Sequence, residues 1–498
     1  MKKILISSLA FSALLLVSCK TEFDQDVKDI TVSNGNADFS KFVSIGNYLT
    51  SGYRDGALYL DGQNESFPSM IAKQMALAGG SQTFTQPLMP NNVGGFSDLY
   101  LASGKTDFYG KLTLSAALSP TQSTPVANLD VIGGAGKYFN NMGVPGAKSF
   151  HLVSPGYGSA ANLAAGKANP YFVRFATSAT TTVLADAAAQ KPSFYTLWIG
   201  NNDVLSYATS GGAGVDRKGN LDPSTYGSND ISDPNVVANV IKTVITSLKT
   251  ANANSKGAIA NIPYVTSVPY FTTVPYDPFT GKITTESAAQ LMSMQAYGKY
   301  NAGLATAKAA QLITEEEYNA RLISFKAGTT AVNGAVIVDK DLTNLTGLGL
   351  PSIRQATAKD YILLPALTLI KDQEIAKGGT ANPLADKYVL TEKEAAKVIT
   401  ATDAYNASIA SLATAYGLAL VDSNAKMKEL GRASGIQFDG VKYTAKFVTG
   451  GSFSLDGVHL TGRGYAIIAN EFIKSINRTY GSTLPQVNVN SYSGVTFP

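Results

Sequence analysis

The chain has 498 residues, 45% of them hydrophobic, which is enough for a sizeable core and excludes a wholly disordered protein. Its 40 Lys and Arg against 36 Asp and Glu give a formal charge of +4, too small for an electrostatic nucleic-acid binder, so we expect no nucleic-acid partner. One cysteine excludes an intrachain disulfide and multi-cysteine metal sites, and two histidines exclude a three-histidine centre. We therefore expect no metal or organic cofactor, and any histidine chemistry falls to His151 or His459.

The first 19 residues have the pattern of an export signal. Lys2 and Lys3 precede an apolar run over 4–17, which is too short to span a bilayer because a helix needs about 20 such residues. The run ends in Leu16-Val17-Ser18-Cys19, which resembles the lipobox of bacterial lipoproteins. The alternative is an ordinary secretion signal that holds a cysteine. The resemblance implies a signal peptide over 1–18 and a lipid anchor on Cys19.

Residues 19–38 are polar and acidic, and we interpret them as a flexible tether. An acidic run directly after the lipid-bearing cysteine resembles the export signals of surface lipoproteins in Bacteroidota. We therefore expect an exported lipoprotein of the outer membrane or cell surface, held to the membrane by acyl chains at Cys19 instead of a transmembrane helix.

Strand patterns and helix patterns alternate along the rest of the chain. Short β-rich or nearly continuous apolar runs predict buried strands at 42–46, 194–200, 257–263 and 418–422. Helical spacing covers 66–78, 236–251 and 464–477. This βαβ order predicts an α/β fold, a three-layer α/β/α sandwich with a mainly parallel sheet of about five strands and large insertions.

Two regions do not fit a compact α/β core. Residues 80–140 are rich in Gly, Ser, Thr and Pro with little periodicity, which indicates an elaborated insertion. Residues 272–400 contain helical stretches, one of which opens with a capping-box pattern at Thr391-Glu-Lys-Glu394, and we interpret them as a helical insertion or cap. The main domain then comprises 39–271 and 401–480, and 481–498 form an extended C-terminal tail.

Polar residues that can carry chemistry cluster around predicted strand ends. Gly46-Asn47-Tyr48-Leu49 follows the first strand and Gly200-Asn201-Asn202-Asp203 follows a buried strand, where ligands bind in open α/β sheets. Asp456 and His459 form Asp-x-x-His just before the last helix. Such an acid can accept a hydrogen bond from one ring nitrogen and leave the other as a base. The alternative is a helix-start Asp beside a packed His.

These segments resemble the blocks of the SGNH, or GDSL, hydrolase family, and their context resembles its large lipoprotein members. Residues 200–203 match Gly-x-Asn-Asp, 456–459 match Asp-x-x-His, and 141–146 resemble the glycine block between them. The resemblance implies the flavodoxin-like sandwich and an esterase or lipase that acts on an ester-bearing small molecule, glycan or lipid. It implies His459 as general base, Asp456 as its orienter, and Asn202 and Gly146 as oxyanion donors through a side-chain amide and a backbone N–H.

The nucleophile position departs from the family pattern, because Tyr48 stands where Gly-Asp-Ser-Leu has its serine. A phenol has a pKa of about 10, and its bulky ring would fill the space that an acyl group needs. Ser51, three residues on, is an alternative nucleophile. One hypothesis is an ester hydrolase. Another is a non-catalytic pseudoenzyme, a surface lipoprotein that binds a glycan or acyl ligand in the former active-site cleft. A third is a purely structural surface protein.

Three further aromatic features have structural interpretations. We expect His151 to be packed or at the surface and Trp198, which lies within an apolar strand, to belong to the core. Tyr264, Tyr270 and Tyr276 lie among prolines after a strand end. They either line a carbohydrate or acyl groove or belong to a loop packed on the core.

The lipobox gives a direct test. We expect Cys19→Ser to abolish incorporation of radiolabelled palmitate during expression in a bacterial host, because lipidation requires the thiol. Ser18→Ala is the matched control, since it keeps a small residue before the cysteine, and its labelling should persist. Continued labelling of Cys19→Ser would contradict the lipoprotein assignment.

Overall fold

A computed structural model describes residues 31–372 and 377–498. Its central sheet has five strands: β1 (Phe42–Gly46), β2 (Asn141–Gly143), β3 (Phe194–Trp198), β4 (Lys256–Ala260) and β5 (Ala419–Val421). They are all parallel, in the order β5-β4-β3-β1-β2. The predicted α/β sandwich with a parallel sheet of about five strands is thus confirmed.

Helices cover the sheet and explain why its strands are so apolar. The principal ones are α1 (Phe67–Leu77), α2 (Val183–Ala189), α3 (Asn202–Thr209), α4 (Pro234–Ala251), α5 (Glu392–Tyr416) and α6 (Gly462–Tyr480). The helices α1 and α6 pack together, with the Phe67 and Phe472 rings stacked 4.8 Å apart, whereas α4 packs against α2 and α5. All residues of β1 and β3 are consequently buried.

The strand β2 is the strand of the central sheet that sequence patterns missed. Its three residues, Asn-Met-Gly, lack the β-branched and aromatic side chains that mark strands, and sequence analysis treated them only as part of a glycine block. Pairing with β1 places Gly46 opposite Gly143 at the sheet edge. The carboxyl ends of β1, β2 and β3 therefore lie side by side.

Smaller elements decorate this frame. Further helices span Tyr48–Ser51, Leu60–Asn64, Ser97–Ala102, Pro170–Phe175, Pro269–Thr272, Thr285–Leu291, Tyr297–Ala309, Glu315–Arg321, Ala366–Lys371 and Ser423–Gly431. Antiparallel strand pairs join Leu112–Leu114 with Pro120–Gln122, Val336–Val338 with Ile353–Gln355, Tyr361–Ile362 with Val389–Leu390, and Ile436–Phe438 with Val441–Tyr443.

The region assigned to a cap has its own hydrophobic core. Buried residues from Val274 to Val389 form this second cluster. Helix α5 begins at Glu392 and places Val398 and Tyr405 in the main core. The boundary between the second hydrophobic core and the main core therefore lies a few residues before position 400. With 25 residues, α5 connects the inserted region to the sheet domain.

Residues 36–37 and 484–487 pack against the sheet domain. Ala37 is buried in the main core, and the Asn36 N–H donates to the Tyr480 carbonyl at 2.8 Å. Asn36 and Ala37 lie in the predicted tether over 19–38, so the end of that segment is packed instead of flexible. Leu484 and Val487 of the predicted tail also join this core. Cys19 and the predicted signal peptide lie outside the described residues. Within 31–372 and 377–498, no helix combines the length and apolarity needed to cross a membrane.

The start of α5 gives a stability test. The predicted capping box is present, and the Glu394 carboxylate accepts from the Thr391 N–H at 2.9 Å and from its hydroxyl at 3.0 Å. We expect Thr391→Ala to lower the free energy of unfolding by about 1 kcal/mol, measured by urea denaturation. Thr243→Ala, at an exposed position inside α4, is the control and should cause no loss. Equal stabilities of the Thr391→Ala variant and the wild type would contradict the assigned role.

Candidate active site

Five residues singled out from the sequence line one open cleft of about 400 Å³, here called the outer cleft. Tyr48 follows β1, Gly146 follows β2, and Asn202 is the first residue of α3 after β3. Asp456 and His459 precede α6. The parallel topology brings them together because the carboxyl ends of adjacent strands meet at one edge of the sheet.

Asp456 and His459 form a close pair. The His459 Nδ1 and Asp456 Oδ2 atoms are 2.8 Å apart, and Asp456 Oδ1 accepts from the backbone N–H groups of Val458 and His459, each at 2.8 Å. A carboxylate in this position favours the tautomer with its proton on Nδ1, so Nε2 is the basic nitrogen. The pair can therefore orient and support a general base.

The loop after β1 also holds Asp456, which sequence analysis did not anticipate. The Gly56 N–H donates to Asp456 Oδ2 at 2.9 Å. The Ser454 hydroxyl donates to Asp456 Oδ1 at 3.1 Å and accepts from the Asp55 N–H at 2.9 Å. In the sequence, Asp55-Gly56 indicates a turn. It does not indicate that this turn contacts Asp456, which lies 400 positions later.

These donors set the charge of Asp456. Burial alone would raise its pKa, but His459 and the backbone N–H groups of Val458 and His459 outweigh burial and hold the pKa below its ordinary value. Asp456 is thus ionised at neutral pH, as the orienting role requires.

The Tyr48 ring packs directly against His459. Its ring centroid lies 4.7 Å from that of His459, and the Tyr53 ring lies 4.6 Å from Tyr48 and 4.8 Å from His459. The other end of Tyr48 faces Gly146, since a Cβ built there would lie 3.5 Å from the Tyr48 hydroxyl oxygen. Burial, and then the charge of Asp456, raises the pKa of Tyr48 to about 12.

The Asn202 amide is buried at the start of α3 and donates to the Ala147 carbonyl at 2.9 Å. The neighbouring Asp203 carboxylate accepts from the Ser149 N–H and hydroxyl, each at 2.8 Å. These bonds tie the segment after β2 to α3. They fix Gly146, whose φ of +83° suits a glycine, beside Asn202 in the cleft wall.

Ser51 has a different setting from the other candidates. Its hydroxyl donates to the Tyr48 carbonyl at 2.8 Å, and its side chain is buried. A Cβ on Gly143 would meet the Ser51 backbone nitrogen at 2.4 Å, so Ser51 lies against β2. It is absent from the lining of the outer cleft, to which His459 contributes.

The remaining aromatic residues separate into core and cleft. His151 stacks on Tyr157 at 4.4 Å, and burial and then Lys148 lower its pKa to about 3, so it is a packed neutral residue. Trp198 is buried in the core as expected. Tyr270 lines the outer cleft, whereas the Tyr264 hydroxyl bonds to Asp403. Tyr270 thus lines a cleft and also packs against the main core, so it fits both alternatives for the proline-rich loop.

A second cavity, the inner cavity, lies behind Tyr48 and His459. It has a volume of about 80 Å³ and a mainly apolar lining. Tyr48, Asn202, Leu205, Val458 and His459 line both spaces. The outer cleft and the mainly apolar inner cavity therefore adjoin each other at His459.

Comparisons with known proteins add no further assignment: no protein-family model, curated protein or solved structure matches this chain. Within the part of the chain that the structure describes, no group of three or more His, Cys, Asp or Glu side chains could hold a metal ion. The geometry of the cleft is therefore the basis for assigning a function.

The low pKa of Asp456 gives a pH test. Since its pKa is lower in the folded than in the unfolded protein, its ionised form stabilises the fold above the unfolded value of about 4, and this contribution is lost as pH falls through the folded pKa. We expect Asp456→Asn to lower the free energy of unfolding at pH 7, with the deficit shrinking below about pH 4. Urea denaturation at several pH values measures it, with the exposed Asp107→Asn as control. A deficit that stays constant to pH 3 would contradict the assignment.

Proposed function

We propose that this protein is a lipoprotein of the SGNH hydrolase type that binds an ester-bearing acyl or glycan ligand in the outer cleft, with ester hydrolysis blocked by Tyr48. The lipid anchor at Cys19, on the outer membrane or cell surface, belongs to the same proposal and rests on the sequence pattern at 16–19. The observation that carries the functional part is the position of the Tyr48 phenol, between His459 and Gly146.

Acyl transfer needs a nucleophile beside the base and free space at the oxyanion donors. Tyr48 fills the space between these groups, because its ring faces the imidazole and its hydroxyl faces Gly146. Burial and the charge of Asp456 raise the pKa of Tyr48 to about 12, so the phenol stays neutral at physiological pH. The phenol therefore acts as a plug in this proposal and not as a nucleophile.

The wall of the outer cleft suits a ligand with both apolar and polar faces. Tyr53 and Tyr270 offer aromatic surface, and Ser206, Ser210 and Asn229 offer hydrogen-bonding groups. Ligand sites commonly combine aromatic walls with a few polar groups that set orientation. Sugar esters and acyl esters share this mixed character.

Ester hydrolysis by the natural chain is the second candidate. The observation that favours it is the preserved Asp456–His459 pair, with Asn202 and Gly146 in the same cleft. In that case a group other than the Tyr48 phenol attacks the ester, and His459 accepts its proton.

Initial rates of p-nitrophenyl acetate hydrolysis by the mature chain separate the two candidates. We expect the wild type at background and Tyr48→Ser at about 100-fold above it, because a small hydroxyl beside His459 restores general-base catalysis. Addition of His459→Ala to Tyr48→Ser should return the rate to background.

Tyr138→Ser, which changes an exposed tyrosine, is the matched control and should stay at background. Wild-type turnover that disappears in His459→Ala would establish the hydrolase instead. An inactive, folded Tyr48→Ser would contradict the view of Tyr48 as the block.

A further inference from the structure

The region from Val274 to Val389, which has its own hydrophobic core, also has a groove of its own, here called the insertion groove. Residues 274–283, the helices Thr285–Leu291 and Ala366–Lys371, and residues 377–381 contribute to its lining. Its volume is about 790 Å³, within the range of about 300–1,000 Å³ that is typical of small-molecule sites. The insertion groove shares no lining residue with the outer cleft or the inner cavity, so it is a separate space.

Much of the lining of the insertion groove is aliphatic. Val274 and Ile370 are buried and belong to the second hydrophobic cluster. Ile283, Leu291 and Leu367 are half-buried, because each packs against that cluster and also lines the groove. The groove therefore presents alkyl surface that is still partly exposed to water, and a hydrocarbon chain laid against it would gain free energy from burial.

Lysines supply the charge of the insertion groove. Lys282, Lys371 and Lys377 are exposed and line it, and among the described residues no Asp or Glu does so. The Lys282 ammonium donates to the Pro278 carbonyl at 2.9 Å. Lys371 and Lys377 form no ion pair with any residue that the structure describes, and Asp372 lies outside the lining. The described lining is thus positively charged throughout and is complementary to an anion.

Partly exposed alkyl surface together with uncompensated cations is complementary to an amphiphile with an anionic head. Phe279, the one aromatic residue of the described lining, is 3% exposed, so it offers almost no ring surface for stacking on a base or a sugar. The alkyl surface instead favours a flexible hydrocarbon chain, and the lysines favour a carboxylate at one end of that chain.

We propose that the insertion groove binds the anion of a free fatty acid. The alkyl chain contacts Ile283, Leu291 and Leu367, and the carboxylate lies beside the ammonium groups of Lys371 and Lys377. A methylene group is similar in size to a water molecule, which occupies about 30 Å³ in the liquid, so a ten-carbon chain needs on the order of 300 Å³. The groove, at about 790 Å³, is large enough. This inference goes beyond the proposed function, since it assigns a second ligand to a region that contributes no residue to the outer cleft.

Isothermal titration calorimetry of the full mature chain tests the two parts of this ligand. The probes are decanoate, 1-decanol and butyrate, all below their micelle-forming or solubility limits. Decanol keeps the chain without the charge, and butyrate keeps the charge with a short chain. We expect decanoate to bind about tenfold more tightly than decanol, because the lysines attract the carboxylate. Butyrate should bind more weakly than decanoate by at least about tenfold, because it buries fewer methylene groups.

Substitution of two lysines places the ligand in the insertion groove. We expect the double variant Lys371→Gln, Lys377→Gln to bind decanoate about tenfold more weakly and decanol as the wild type does, because only the charge has changed. The double variant Lys299→Gln, Lys326→Gln is the matched control and should bind decanoate normally. It removes the same charge from two exposed lysines that lie in the same region but outside the groove lining.

A change in the aliphatic lining should affect both long-chain ligands. We expect Leu367→Ser to weaken decanoate and decanol alike, by about fivefold, because both lose the same apolar contact. Circular dichroism checks that the variant is folded, and Leu291→Ser provides the same test if it is not.

Three results would overturn the inference. Equal affinities of the wild type for decanoate and decanol would show that the lysines play no part in binding. Undiminished decanoate binding by the variant Lys371→Gln, Lys377→Gln would place the ligand elsewhere, for example in the outer cleft. Absence of decanoate binding, with lysine-dependent binding to phosphatidylglycerol vesicles, would assign the lysines to a lipid surface instead of a free fatty acid. None of these results would alter the proposed function of the outer cleft.

Discussion

The Asp456 carboxylate joins the two ends of the sheet domain. It accepts from the backbone of the segment before α6, from the His459 ring, and from Gly56 in the loop that follows β1. A buried carboxylate left without these donors would be costly, so this group holds the loop at Gly56 against the segment that precedes α6. The orientation of His459 and the shape of the cleft both depend on it.

Tyr48 sets the chemical character of the outer cleft. The backbone after β1 still leads into a one-turn helix, Tyr48–Ser51, and the loops that carry Gly146 and Asn202 still converge on the same edge. The phenol lies between the His459 ring and Gly146 and is neutral at physiological pH. Under the proposed function, this one side chain stands in the place of the nucleophile that acyl transfer requires.

The outer cleft and the inner cavity differ in polarity. The outer cleft is lined by polar and aromatic residues, while the lining of the inner cavity is mainly apolar. The inserted region from Val274 to Val389 has its own core, separate from that of the sheet domain. Tyr270, four residues before this region, packs against the main core and lines the outer cleft.

The sequence alone determined the elements whose patterns are local. The apolar runs of β1, β3, β4 and β5, the spacing of α1 and α6, and the capping box of α5 follow from side chains near one another in the chain. The Asp456–His459 pair is local too, since three residues separate its members. Three contacts were decided only by the tertiary structure: the hydrogen bond from Gly56 to Asp456, the ring contact of Tyr53 with His459, and the approach of Tyr48 to Gly146. The strand at Asn141–Gly143 likewise forms only because it pairs with β1. These contacts join distant segments and are decided by how helices and strands pack, which no local pattern of side chains records.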